Sequence, residues 1–201
     1  MTAALVSIIG PPASGKTTLA ERLAAELPAE LVREDYAGNP FLVEAYGGVA
    51  QARLPSQLYF LMSRVGQLSL LAWPEQGVRV SDYGFCQDRI FAQVTLSAED
   101  WSAYQRAADR LGRLIRPPDV LIHLDADEAT LLARIAARGR AFERAITAQF
   151  LAAMRRSYAQ AAAEVGCPVL RVDTMVTDLR NAAACAPLVA QVRSALEALR
   201  R

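Results

Sequence analysis

The chain has 201 residues, a net charge of +1 and 53% hydrophobic residues, a length and composition that suit one domain with a sizeable core. Its arginines are scattered rather than gathered into a basic tail, so composition makes no case for a nucleic-acid partner, and its apolar runs are too short to cross a membrane. Three cysteines, Cys86, Cys167 and Cys185, have neither an even count nor metal-like spacing and read as small hydrophobes in a reducing cytoplasm.

The first element is an apolar, β-branched run over Ala4–Ile9, which reads as a buried strand. No basic segment precedes it and Gly10-Pro11 ends it, so a strand is expected there rather than a signal peptide. Next comes Gly10-Pro11-Pro12-Ala13-Ser14-Gly15-Lys16-Thr17-Thr18, which matches the phosphate-loop pattern G-x-x-x-x-G-K-[ST]. An amphipathic stretch over Leu19–Leu27 follows, so the pattern stands between a strand and a helix, the context it needs.

The chemistry explains each fixed residue of this loop. Glycines at 10 and 15 let the backbone turn with its N–H groups around an anion, and the helix that starts there adds its free N–H groups and dipole. Lys16 supplies a compact charge for the outer phosphates of ATP, and the Thr17 hydroxyl is a ligand for Mg²⁺. Lys16 is also the only lysine in a chain that otherwise uses arginine throughout. An ammonium fits a phosphate nest that a planar guanidinium fits poorly.

Further strand-like runs follow at Leu31–Arg33, Val78–Ser81, Val120–Leu124 and Val169–Val172, alternating with helical patterns. This alternation predicts an α/β fold, a parallel sheet with helices on both faces and ligands beyond the carboxyl ends of the strands. Those ends carry Glu34-Asp35, Asp82, Asp125 and Asp173. For Asp125 and Asp173 the plain alternative is a helix cap or a turn. His123, alone within its strand, reads as structural.

Apolar positions 54, 58, 61, 62, 65, 68 and 72 predict a helix over Leu54–Trp73, with Pro55 in its first turn. Gln57 and Arg64 share a face of it, where two polar groups need partners. Spacing alone leaves open whether that partner is a ligand or a structural network. A helix over Ala126–Arg138 ends at Gly139, and Arg134, Arg138, Arg140 and Arg144 fall within residues 134–144. Such a cluster beside a glycine suits a flap that closes on phosphates, in preference to a solvated helix face. Glu128 is the acid spaced to pair with this cluster. Gln149–Glu164 and Ala182–Leu199 read as packing helices.

Four stretches resemble the deoxynucleoside kinase family, especially its bacterial branch acting on purine deoxynucleosides. They are Arg33-Glu34-Asp35-Tyr36-Ala37-Gly38-Asn39-Pro40-Phe41-Leu42 with Tyr46; Gln57 through Arg64; Ser81-Asp82-Tyr83 through Asp88-Arg89-Ile90-Phe91-Ala92; and Arg134-Ile135 through Arg138-Gly139-Arg140 with Glu143. The resemblance covers most of the chain. It implies a P-loop kinase fold with a five-stranded parallel sheet and an Arg-rich lid, all within one domain over 1–201.

It also implies roles. Glu34 is the general base for the 5′-hydroxyl, and Tyr46 with Glu143 binds the 3′-hydroxyl. Gln57, Arg64 and Asp88 read the base edge, and Phe91 stacks on the base. Asp82 works with Thr17 on Mg²⁺, and Arg134, Arg138 and Arg140 are the lid arginines, with Arg138 and Arg140 acting on the transferred phosphate. A cytoplasmic homodimer in nucleotide salvage is implied as well. The chain departs from the family at Asp35, where many members have proline, and at Tyr83, where most animal members have arginine, which removes a cation near the reacting oxygens.

Two other readings compete. A thymidylate-kinase-like nucleoside monophosphate kinase would also show the Arg33-Glu34 pair, but Asn39–Leu42, Tyr46 and Glu143 argue for an unphosphorylated sugar. A non-catalytic nucleotide switch of the guanine type would need an Asn-Lys-x-Asp motif, which a chain with one lysine lacks.

Overall fold

The computed structural model describes residues 3–199. Five strands, β1 (Ala4–Ile9), β2 (Glu30–Val32), β3 (Val78–Ser81), β4 (Val120–Asp125) and β5 (Val169–Asp173), form one sheet in the order β2-β3-β1-β4-β5. All pairings are parallel. From β1 the chain goes to the edge strand β2, returns to β3 beside β1, and then crosses to β4 and β5 on the other side, so the direction reverses at β1. The crevice beyond β1 is therefore where a parallel sheet of this kind receives ligands.

Helices cover both faces, which is why the strands read as unbroken apolar runs. On one face, Val6, Ile8, Val80, Ile122 and Leu124 pack against Leu19 and Leu23 of α1 (Lys16–Glu26) and Cys185, Leu188 and Val192 of α8 (Ala182–Ala198). On the other, Ile9 and Leu121 meet Ile90 of α4 (Cys86–Thr95) and Met154 and Tyr158 of α7 (Ala148–Glu164). Leu5 packs there against Tyr83 and Leu68. A short α2 (Leu42–Tyr46), a long α3 (Ala50–Gln67), α5 (Ala98–Leu111) and α6 (Glu128–Arg138) complete the set.

The expected strands and the five expected helices are all present, with several corrections. Helix α3 starts at Ala50, four residues before the expected Leu54, so Pro55 lies inside it. The carbonyl that Pro55 leaves without its helical donor belongs to Gln51, which is exposed and open to water. The helix stops at Gln67, and a 3₁₀ turn over Leu70–Ala72 takes the place of its expected end. Met62, expected on the apolar face, is 57% exposed. Helices α2, α4 and α5 were not among the helices read from the sequence.

Asp125 caps nothing: both its oxygens accept from Arg155 (2.8 and 2.9 Å), and the cap of α6 is Asp127, bound to the Thr130 N–H. Asp173 does start a turn, accepting from the Met175 N–H at 2.8 Å. His123 is 5% exposed, beside Arg171, as a structural residue. The three cysteines are free, but only Cys185 is fully buried.

Candidate active site

The carboxyl ends of the strands open onto a cleft of about 930 Å³, lined by the phosphate loop, the segment after β2, α3, the start of α4, the end of α6 and the turn after β5. Its floor is the loop between β1 and α1. Gly10 and Gly15 have φ of 152° and 97°, and a Cβ on them would lie 2.4 Å from the Leu124 carbonyl oxygen and 2.7 Å from Leu179 Cδ1. Only glycine keeps the backbone this close to its neighbours in this conformation. Ala13 also has a positive φ of 63°, a left-handed turn uncommon for a residue with a side chain.

Lys16 folds back over the loop, donating to the carbonyls of Gly10 (2.9 Å) and Pro11 (3.1 Å). Burial pushes its ammonium down to about 8, against the opposing pull of Glu34 and Asp82. A polyphosphate in the loop would favour the charged ammonium and push this value back up. Ser14 Oγ is buried in the loop without a partner, which is the kind of open donor an anion satisfies. These features fit ATP in the nest. Pro12 through Thr18 line the cleft, and Gly10 and Pro11 support it from below.

Thr17 Oγ1 donates to Asp82 Oδ2 at 2.7 Å, and Asp82 Oδ1 accepts from the Glu34 N–H at 2.8 Å. A hydroxyl and a carboxylate side by side at the mouth of a phosphate nest fit Mg²⁺, a hard cation that draws most of its ligands from phosphates and water. Among the described residues no cluster of three or more His, Cys, Asp or Glu could hold a metal, so the remaining ligands would be non-protein.

The acceptor side is built from side chains. Gln57, Arg64, Asp82, Gln87, Asp88 and Glu143 are each 1–8% exposed, and all line the cleft. Arg64 stands between two carboxylates, pairing with Glu34 and with Asp88. Its guanidinium lies over the rings of Phe60 (5.2 Å) and Tyr83 (4.9 Å). Gln87 Nε2 donates to Glu34 Oε1 at 2.8 Å. Arg64 Nε, Gln87 Oε1 and Asp88 Oδ2 are buried with no hydrogen bond. Such groups are costly unless a ligand completes them. Spacing left Gln57 and Arg64 between a ligand role and a structural one. Both line the cleft, and Arg64 is also part of a network with Glu34 and Asp88.

Around the opening, Glu143 Oε2 and Oε1 accept from Arg138 at 3.0 and 2.5 Å, and Arg140 is 3.8 Å from the same carboxylate. Arg140 also stacks on Tyr36 at 4.3 Å, joining the end of α6 to the loop after Glu34. Tyr46 packs edge-on against Phe142 at 5.4 Å, and burial raises its phenol above the ordinary range. Arg134 is tied to Thr174, to its Oγ1 at 2.8 Å and its carbonyl at 2.7 Å, so it enters the cleft from a fixed position. Phe91 lines the cleft, as does Phe60, which the sequence reading did not single out.

One motif residue takes a structural place, and one expectation changes. Asn39 does not line the cleft: its Nδ2 donates to the Ser56 carbonyl and hydroxyl (3.1 and 3.0 Å) and its Oδ1 accepts from the Phe41 N–H (3.1 Å), which pins the loop after Glu34 to α3. Glu128 does not serve the Arg cluster, because Arg155 of α7 takes it at 2.8 Å. Among residues the sequence reading missed, Gln87 faces Glu34 one position before Asp88. The turn Thr177–Arg180 also lines the donor side, through a segment with no chemical motif.

Comparison with known proteins agrees with this geometry. The family described as deoxynucleoside kinase matches residues 6–196. A deoxyguanosine kinase of Bacillus subtilis is 31% identical over 160 residues, covering 78% of this chain and 77% of that one. A deoxyadenosine kinase of Dictyostelium discoideum is 28% identical over 175 residues, covering 84% and 71%. The structure of a deoxyadenosine kinase from M. mycoides with bound dATP shares the fold, with a TM-score of 0.80 at 20% identity, covering 95% of this chain and 99% of that one. A phosphate loop on a reversed parallel sheet and a family match along nearly the whole chain lead to one assignment: this chain belongs to the deoxynucleoside kinase family.

Proposed function

We propose that this chain, an ATP-dependent deoxynucleoside kinase, phosphorylates the 5′-hydroxyl of purine deoxynucleosides, with Mg²⁺ held at Thr17 and Asp82 and Glu34 as the general base. The observation that carries this reading is Glu34 itself. It follows β2, hydrogen-bonds Asp82 through its N–H at 2.8 Å, and faces a buried polar pocket on its other side. A carboxylate between a phosphate nest and a polar pocket suits a hydroxyl acceptor, which loses a proton as it attacks.

In this mechanism the 5′-oxygen forms a bond to the γ-phosphorus as the bond to the ADP oxygen breaks, and the hydroxyl proton passes to Glu34. Lys16, Arg138 and Arg140 balance the charge that develops on the transferred group. Bound Mg²⁺ would neutralise charge on the outer phosphates. Tyr46 and Glu143 bind the 3′-hydroxyl, and Gln57, Arg64 and Asp88 read the base while Phe91 stacks on it. The purine preference is supported by relatives described as deoxyguanosine and deoxyadenosine kinases.

The whole chain is read as one catalytic domain with residues 134–144 as its lid. A cytoplasmic setting is supported by three free cysteines. No helix among the described residues is long and apolar enough to cross a membrane. A homodimer is supported by the exposed apolar side chains Met62, Leu70, Leu71 and Leu114, which lie on or beyond α3 and beside Ile115, the bridge partner of Ser69.

The test is an ATP-coupled assay of the four deoxynucleosides and their monophosphates, run on the wild type and Glu34→Gln. Turnover of deoxyadenosine or deoxyguanosine should exceed that of the pyrimidines, and the monophosphates should be inert. Glu34→Gln should lower kcat by about 10²–10⁴-fold with nucleoside binding largely kept. Faster turnover of a monophosphate would overturn the acceptor assignment, and a loss confined to KM would make Glu34 a binding residue.

A further inference from the structure

Among the described residues Arg64 is the only cation in contact with the Glu34 side chain, and it comes from α3 rather than from the strand end where Asp82 sits. The position after Asp82 is Tyr83, a fully buried aromatic residue. Its ring lies against the Arg64 guanidinium at 4.9 Å, with Phe60 nearby at 5.2 Å. Two rings and two carboxylates leave a guanidinium little room to turn. An aromatic face also favours a cation when water is excluded.

Tyr83 is itself held at both ends. Its carbonyl accepts from Ser81 Oγ at 2.7 Å, and its hydroxyl donates to Gln67 Oε1 at 2.6 Å. Gln67 in turn donates through Nε2 to the carbonyl of Arg33 at 2.9 Å, the residue just before Glu34. The contacts thus close a circuit from the end of β2, through α3 and Tyr83, back to the Glu34 carboxylate.

We propose that Tyr83 is a positioning residue for phosphoryl transfer: its ring fixes the Arg64 guanidinium, and Arg64 fixes the Glu34 carboxylate facing the acceptor hydroxyl. The residue after Asp82 therefore contributes a surface, and the charge that surface orients is brought from another element. A base misplaced by about an ångström loses much of its effect, so the consequence falls on kcat. The inference rests on Glu34 being the base.

The experiment is steady-state kinetics on the full chain with Tyr83→Phe and Tyr83→Leu, each alone and combined with Glu34→Gln. Tyr83→Leu should lower kcat about tenfold and leave KM for ATP at its wild-type value, while Tyr83→Phe, which keeps the ring, retains most of kcat. In the Glu34→Gln background Tyr83→Leu should cost less than twofold more, because the group it orients is gone. Should the leucine variant fail to fold, Tyr83→Met carries the same expectation in its place. Wild-type kcat in the leucine variant, an equal loss in the phenylalanine variant, or a full further loss in the Glu34→Gln background would each overturn the proposal. Failure of the base assignment is separate, since it appears as undiminished kcat in Glu34→Gln alone.

Discussion

The donor and acceptor sides of the cleft are made in opposite ways. The phosphate loop is backbone: nine consecutive residues, Gly10–Thr18, whose φ angles and N–H groups form the nest, with Lys16 tied to the loop's own carbonyls at 2.9 and 3.1 Å. The acceptor wall is side chain. Glu34, Arg64, Gln87 and Asp88 come from three elements and meet only in the fold. The first side recognises what every nucleotide shares. The second holds the groups proposed to read the base, and in that reading substrate choice belongs there. The difference also sets how each side fails: a contiguous nest loses its one charge outright, whereas a shared network redistributes.

The largest effect should come from the donor side. Lys16→Ala should leave the fold intact and lower kcat by about 10³–10⁵-fold, because the outer phosphates lose their point charge. Lys16→Arg should be severely impaired as well, since a planar fork does not replace an ammonium in the nest. Near-wild-type turnover in Lys16→Arg would show that the nest needs charge alone, not shape.

A smaller and different effect is expected across the cleft. Asp88→Ala leaves Arg64 with one carboxylate in place of two, and Gln57→Ala removes a group with both donor and acceptor character. Each should reorder kcat/KM among the four deoxynucleosides by about 1–3 kcal/mol, the cost of a buried polar group left unsatisfied. A uniform drop with the ranking kept would make this wall a structural network, erasing the contrast with the donor side.

The smallest effect concerns the segment that spans both sides. Arg138 and Arg140 hold Glu143, and Arg140 rests on Tyr36, so residues 134–144 bridge the end of α6 and the loop after Glu34. Cleavage by trypsin after Arg138 or Arg140 should slow several-fold with ATP or a bisubstrate analogue bound. Equal cleavage with and without ligand would mean that these arginines form a static rim.

The same contrast explains what could be read from residues alone. The strands and the phosphate loop were legible because their signals are local: a β-branched run, a glycine pair, a helix start. Arg64 and Asp88 were recognisable as partners by type. Arg64 on Glu34 was not, because that contact joins residues thirty positions apart on different elements. Tyr83 read as the loss of a cation, since sequence shows what a residue carries and not what it leans on. Asn39 carries the same lesson: it fastens its own loop to Ser56, a contact between residues 17 positions apart. Helix α4 was not read from the sequence, and it divides its buried side between neighbours: Ile90 packs under β1 while Ala92 packs with Leu61 of α3.

The solitary lysine has a further consequence for chemistry at the bench. Apart from the chain's own α-amine, Lys16 is the only primary amine the sequence offers. Burial lowers it to about 8 from an ordinary 10.5, so near neutral pH a larger fraction of it is uncharged and nucleophilic than of an ordinary lysine. Amine-directed acylating reagents therefore find one internal target, and that target is the floor of the nucleotide site. Protection by ATP would read occupancy of the nest directly, without turnover, and a reporter coupled there would need no engineered attachment point.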